Sequence, residues 1–415
     1  MKLTPDIVKK IKTDIALGEL TQKEIGDKYN VSRSIISDIA CNRRHQGVEV
    51  SISDVPPEQR QLLRLQAEVE HLKTERDTFK RQLRSEAKQN GLFYAIVEEM
   101  ERRITPVAPL PSARPVYEPS GRITEHLVMH LSDGHHDQII TKNDTGGLEE
   151  YDFNISCCRA ERYIDTTLKW TQETLSSQFS FPSVTILAYG DHTSGEIHGA
   201  VSRSHYRNQF NNSLAIGQLH ALMFRDLAPY FDQVNVVYVP GNHGRRSNKK
   251  DYLGAHDNWD YLVAKVAELH CKGIHNINFN IPNSYVANVN IDGVGFQIFH
   301  GDDIKSSLGI PWYGLEKRRH RMMALNNMQA SVPIRYYCCG HFHRPGSTTE
   351  VNGEMLINGA WPATDAYAFN ALGGFTEPSQ LIHGVNKEYG ITWRLPVKLR
   401  SEYEHSGPRR YKVSI

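Results

Sequence analysis

The chain has 415 residues, 39% apolar and 23% charged, with Lys+Arg 48 against Asp+Glu 47. That length supports two or three domains around a sizeable core, and a balanced charge leaves any nucleic-acid surface to local clusters. No apolar run could cross a bilayer, no basic-then-apolar leader opens the chain, and the 6 Cys, four of them in adjacent pairs, suit neither a disulfide framework nor a CxxC zinc module. These features predict a cytoplasmic protein with no membrane partner.

Helical periodicity begins at Thr4-Pro5, with Ile7, Val8, Ile11 and Ile15 on one face and Gly18 as a stop. A second helix opens on the capping-box sequence Thr21-Gln22-Lys23-Glu24, and a third starts near Ser32 with Ile35, Ile36 and Ile39 inward. Two short helices across a tight turn have helix-turn-helix form, so residues 1–47 are expected to bind DNA through Arg33, Ser34, Arg43 and Arg44. The unit looks like those of resolvases and phage regulators, although a plain three-helix packing module shares the same core pattern.

Leu62, Leu65, Val69, Leu72, Phe79 and Leu83 then follow three- and four-residue steps. Residues 57–103 therefore read as a short coiled-coil or helical segment, either joining two chains as a homodimer or packing as one amphipathic helix. Five prolines between Pro106 and Pro119 make 104–120 an extended spacer. It separates these helices from a domain over 121–415, in which β-rich runs alternate with helical ones in the manner of an α/β fold.

The β-rich runs are His126 to Leu131, Val184 to Ala188, Val234 to Val239, Phe296 to Phe299 and Arg335 to Cys339. Each leads into glycine and metal-capable residues: Asp133-Gly134-His135, Gly190-Asp191, Gly241-Asn242-His243, His300-Gly301 and Gly340-His341-Phe342-His343. Sites in open α/β sheets lie beyond the carboxyl ends of the strands, so these exits are expected to converge. An isolated HxH is more often a polar turn than a metal pincer, and it is the other four exits that lift this one. Asp133, His135, Asp191, Asn242, His300, His341 and His343 are too many ligands for one zinc, and their mixed oxygen and imidazole donors suit two divalent ions such as Mn, Fe or Zn. Paired ions acidify a bound water and clamp the oxygens of an in-line displacement at phosphorus, so phosphoester hydrolysis is the expected chemistry.

The series DxH, GD, GNH, H and GHxH, running here from Asp133 to His343, resembles the motifs of the calcineurin-like metallophosphoesterases. The resemblance implies a four-layer α/β/β/α sandwich of two mixed sheets and attack by a hydroxide held between the ions. It implies one ion on Asp133, His135, Asp191 and His343, the other on Asp191, Asn242, His300 and His341, and His243 facing the phosphate as the catalytic residue. Two positions depart from the family pattern. Ser194 stands where the family often has a second aspartate after GD, and Gly244 where an acid often follows GNH, which leaves the orientation and protonation of His243 unexplained. His136, His192, His198 and His205 are expected to support ligands or face solvent.

Arg203 and Arg207, Arg245 and Arg246, Lys249 and Lys250, and Lys317, Arg318, Arg319 and Arg321 cluster near the motifs, interleaved with Tyr206, Tyr252, Trp259, Trp312 and Tyr313. A groove so lined can follow a phosphate backbone and stack bases, with Arg245 and Arg246 as DNA contacts, although surface helices are commonly this charged. The chain looks nearest to DNA repair exonucleases and their phage relatives, in a bacterial or phage-infected cell. A nuclease is the expected activity. The alternatives are a phosphodiesterase or phosphatase for a small substrate, and a DNA-binding regulatory or packaging protein with a silent phosphoesterase domain.

Overall fold

The computed structural model describes residues 3–17, 20–48, 73, 91, 93–113, 121–197, 199–247, 254–305, 311–329, 332–350, 353–401, 404 and 409–413. The chain divides into two compact units, Met1–Ala87 and Lys88–Ile415. The expected coiled-coil seam from Leu62 to Leu83 lies outside the described residues, as do Lys249, Lys250 and Tyr252.

The N-terminal unit holds α1 (Pro5–Leu17), α2 (Gln22–Tyr29) and α3 (Arg33–Ala40). Thr21 and Glu24 form a reciprocal capping box at the start of α2, each satisfying a backbone N–H of the other. Asn30 ends α2 in the left-handed conformation, and a Cβ on Gly26 would lie 2.6 Å from the Val31 carbonyl, so the tight turn into α3 requires glycine there. Val8, Ile11, Ile25, Ile36 and Ile39 form the small core. Arg33, Ser34, Arg43 and Arg44 are all exposed.

The second unit opens with a helix over residues 93–103, here α4. Its Phe93, Val97 and Met100 pack on Tyr261, Leu262, Val266 and Leu269 of α7 (Trp259–Cys271). The segment that follows runs along the same unit, with Val107 N donating to His270 O at 2.8 Å and Ala113 N to Pro229 O at 3.1 Å. The division between the two compact units falls upstream of α4, between Ala87 and Lys88. The physical reason is the apolar face of α4, which is buried against α7.

Six strands form one mixed sheet: β1 (His126–Leu131), β2 (Ser183–Tyr189), β3 (Gln233–Val239), β4 (Ile277–Asn280), β10 (Ser379–Asn386) and β11 (Gly390–Lys398). A second sheet holds β5 (Val286–Ile291), β6 (Val294–Phe299), β7 (Ile334–Cys339), β8 (Gly346–Glu350) and β9 (Gly353–Ile357). The strand orders are β11-β10-β1-β2-β3-β4 and β8-β9-β7-β6-β5, with β1 to β4 parallel and β6, β7 and β9 parallel.

Side chains alternate across the first sheet as a period of two requires. Leu127, Met129, Val184, Ile186, Val234 and Val236 face α5 (Phe153–Leu168), α6 (Gln209–Leu227) and α7. Val128, Leu187, Tyr189, Val237 and Val239 instead meet Phe296, Ile298, Tyr336 and Leu356 of the second sheet. The far face of that sheet, through Phe299, Tyr337 and Met355, packs on Leu315 of α8 (Trp312–Gln329). No described helix is long and apolar enough to cross a membrane.

Candidate metal centre

The five strand exits meet at one place. Asp133, His135 and His343 form one group of potential ligand atoms within 4.8 Å of one another, and Asp191, His300 and His341 form another. A third group, His135, Asp191 and His243, links the two. Asp133, His135, Asp191, His341 and His343 all have positive φ, between 41° and 67°. Non-glycine residues avoid that region, and its use at five candidate ligand positions marks a backbone bent to aim side chains inward. Glycines make room for them: a Cβ on Gly241 would lie 2.2 Å from Asp191 Oδ1, and one on Gly340 2.1 Å from Asp133 Oδ2.

Each carboxylate is held by its neighbours. Asp191 Oδ1 accepts from His243 N at 2.8 Å, while its Oδ2 lies 2.8 Å from His300 Nε2. Asp133 accepts from His341 N at 2.7 Å and Ser132 Oγ at 2.6 Å, and Nε2 of His343 is 3.4 Å away. Asn358 and Gln380 hold Ser132 in turn, through Asn358 Nδ2 to Ser132 Oγ at 3.0 Å and Ser132 N to Gln380 Oε1 at 3.1 Å.

Among the described residues, three potential ligand atoms of this centre are buried with no hydrogen-bond partner: His135 Nε2, Asn242 Oδ1 and His300 Nε2. The approach of His300 to Asp191 is close but lacks hydrogen-bond alignment. His300 donates its Nδ1 hydrogen to the Tyr189 carbonyl at 2.9 Å, which turns Nε2 toward the centre. Orphaned imidazole and amide donors beside two buried carboxylates are what divalent ions require, so these residues fit such ions.

Electrostatics point the same way. Burial pushes His135 well below the usual imidazole range, and burial and then the neighbouring His300 lower His341 to about 4, keeping both neutral as ligands must be. Burial alone would raise the Asp191 carboxyl, but His300 and His243 outweigh it and hold it well below the usual range. Burial likewise opposes protonation of His300, yet Asp191 and Asp133 raise it to about 10.

His243 Nδ1 lies 3.0 Å from the Ser194 carbonyl, which can only accept, so the proton is on Nδ1. This backbone group orients His243 where an aspartate was missed in the sequence. At Gly244 an acidic residue has no room, because a Cβ would lie 2.0 Å from Asn258 Oδ1. Asp260 of α7 supplies a buried carboxylate nearby, accepting from Asp191 N at 3.0 Å, Gly241 N at 2.9 Å and His192 N at 3.1 Å. It ties the Asp191 loop to the Asn242 loop.

The basic residues near the centre are largely committed. Arg245 is buried, with Nε on the Asn242 carbonyl at 3.1 Å and Nη1 3.6 Å from Asp302. Arg246 pairs with Asp257 at 3.1 Å and lies over the Phe93 ring. Arg203 pairs with Asp144, and Arg318 with Asp303. Lys317, Arg321 and Tyr313 remain exposed on α8. His198 lies outside the described residues, and His205 stacks on Phe153.

No family model matches the chain, and no curated protein matches it. Among solved structures, an archaeal phosphodiesterase is similar over 65% of this chain and 99% of its own, at 12% identity and a TM-score of 0.30. Vacuolar Protein Sorting 29 from Cryptosporidium parvum is similar over 63% of this chain and 86% of its own, at 12% identity and a TM-score of 0.29. Vps29 from Entamoeba histolytica, solved with zinc, is similar over 66% and 99% respectively, at 11% identity and a TM-score of 0.27. Scores this low carry no argument about what this chain binds or does.

Proposed function

We propose that the chain is a two-metal phosphoesterase of the calcineurin-like metallophosphoesterase type, acting as a nuclease on DNA phosphodiesters. The observation that carries this reading is the meeting of five strand exits in two ligand groups linked through His135 and Asp191, with unpartnered donor atoms on His135, Asn242 and His300. The faces of the two sheets, one on α5 to α7 and the other on α8, support the four-layer α/β/β/α arrangement. Asp133, His135, Asp191 and His343 would hold one ion, and Asp191, Asn242, His300 and His341 the other. Bound there, two divalent ions, with Mn the first expectation, would supply an acidified water and positive charge for the phosphate oxygens.

The protein's own part falls to His243. With its proton fixed on Nδ1, it exchanges protons at Nε2 and, once protonated there, can deliver one to the leaving oxygen. Asp260 and the Asn358–Gln380 pair hold the ligand loops in place before substrate arrives.

DNA as substrate draws its support from the N-terminal unit. A short turn between α2 and α3, with exposed Arg33, Ser34, Arg43 and Arg44, suits a helix-turn-helix contact with a duplex, and a homodimer would give that contact two-fold symmetry. A second reading, a phosphodiesterase or phosphatase for a small substrate, is favoured by the ion pairs that occupy Arg203, Arg245, Arg246 and Arg318.

The test is digestion of single- and double-stranded DNA beside bis-p-nitrophenyl phosphate with added Mn2+, with Asp191→Ala and His243→Ala as controls. Cleavage of DNA that is lost in both variants is expected. Hydrolysis of the small diester alone, without DNA affinity, favours the second reading. No hydrolysis by metal-loaded protein overturns both.

A further inference from the structure

A second group of metal-capable side chains lies beside this centre, on the helix side of the six-stranded sheet. His136 follows the ligand His135, His192 follows Asp191, and His220 projects from the middle of α6; all three are fully buried. One ring nitrogen from each lies within 4.8 Å of the others. Nε2 of His136 and Nε2 of His220 are 3.1 Å apart. Two nitrogens of a tetrahedral zinc with Zn–N of about 2.0–2.1 Å are separated by about 3.3 Å, so this pair stands close to a ligand spacing.

The outer nitrogens have partners of the kind that orient metal ligands. His136 Nδ1 bonds Ser156 Oγ at 2.6 Å, and His220 Nδ1 bonds the Tyr238 hydroxyl at 2.7 Å. Without an ion, the same atoms form a hydrogen-bonded chain from Tyr238 through both rings to Ser156. That chain does nothing for His192, both of whose nitrogens are buried with no hydrogen-bond partner among the described residues. A neutral imidazole always carries one donor and one acceptor, and here neither meets a hydrogen-bonding group of the protein among the described residues.

We propose that His136, His192 and His220 form a third, closed metal site for an imidazole-preferring ion, Zn2+ or Cu+. No carboxylate is among the ligands, which disfavours Mg2+, Ca2+ and Mn2+. An ion held by all three nitrogens gives the His192 ring a partner. The ion would join the loops carrying His135 and Asp191 to α6, positioning ligands of the neighbouring centre. The inference stands on these three residues alone and is independent of the phosphoesterase reading.

The test is metal content of full-length protein, stripped with chelator, reloaded separately with Zn2+ or with Cu+ under reducing anaerobic conditions, and desalted. Wild type is expected to hold one equivalent more than His220→Gln and one more than His192→Phe. The absorption-edge spectrum of that equivalent should show nitrogen ligands only. Loss with Zn2+ but not Cu+, or the reverse, identifies the ion. Equal metal content in wild type and both variants overturns the proposal and leaves the hydrogen-bonded chain as the whole account. His192→Phe replaces an unpartnered imidazole by an apolar ring, so it gives a reading even where His220→Gln does not fold.

Discussion

His243 donates its Nδ1 hydrogen to the backbone carbonyl of Ser194, 3.0 Å away, and not to a carboxylate. The orientation of this imidazole therefore survives any side chain at 194 that keeps the turn. His243→Ala is expected to lower kcat on bis-p-nitrophenyl phosphate by about 10²–10⁴-fold with metal content unchanged. Ser194→Ala should stay near wild type in the same assay. Equal losses in the two variants would assign a role to the hydroxyl, which lies 3.5 Å from His135 Nδ1.

Asp260 accepts three backbone N–H groups from two ligand loops while almost fully buried. Asp260→Ala leaves those donors without partners and is expected to destabilise the protein by about 3 kcal/mol or more. It should also weaken metal binding by about 10–100-fold, the usual effect of removing a group that orients ligands. Denaturant unfolding and metal titration check the two parts separately.

His341 and His343 are neighbours in sequence but fall into different ligand groups. His343→Ala is expected to release the ion held with Asp133 and His135, and His341→Ala the ion held with Asn242 and His300. Element analysis combined with anomalous scattering at the two positions distinguishes them. Equal loss of both ions in both variants would contradict the division.

In metal-free protein, His300 titrates at about 10 against an ordinary value of 6.5, because Asp191 and Asp133 outweigh its burial. A raised folded value means that the stabilisation is complete below about 6.5 and is lost as pH rises through about 10. Metal needs the neutral ring, so its apparent affinity should rise over the same window as stability of the metal-free protein falls. Thermal melts with and without Mn2+ across that window should diverge; parallel curves would argue against His300 as a ligand.

Phe93, Val97 and Met100 anchor α4 on α7. A fragment of residues 104–415 is expected to be about 5 kcal/mol less stable than one of residues 88–415 through lost apolar burial. Calorimetry of the two truncations makes the comparison.

The strand exits were legible because alternating apolar runs end abruptly in Asp, His and Gly, a local signal that needs no knowledge of packing. β2 extends one residue beyond each end of the apolar run Val184 to Ala188, and β6 begins two residues before Phe296, since strand ends fray beyond what an apolar pattern marks. Asp260 was not legible, since its partners lie 19, 68 and 69 residues away and only the fold brings them together. The ion pairs of the basic clusters were illegible for the same reason: the sequence displays Arg245 but not the approach of Asp302. His136 and His192 looked like spare neighbours of ligands until α6 placed His220 beside them.

Five ligand positions hold a side chain at positive φ. Glycine would adopt that backbone more readily than Asp or His does, so the centre is assembled against the local preference of its own chain. Selection for a more stable metal-free fold would therefore favour glycine at these positions and erase the ligands first. On the proposed two-metal reading, keeping all five trades fold stability for chemistry.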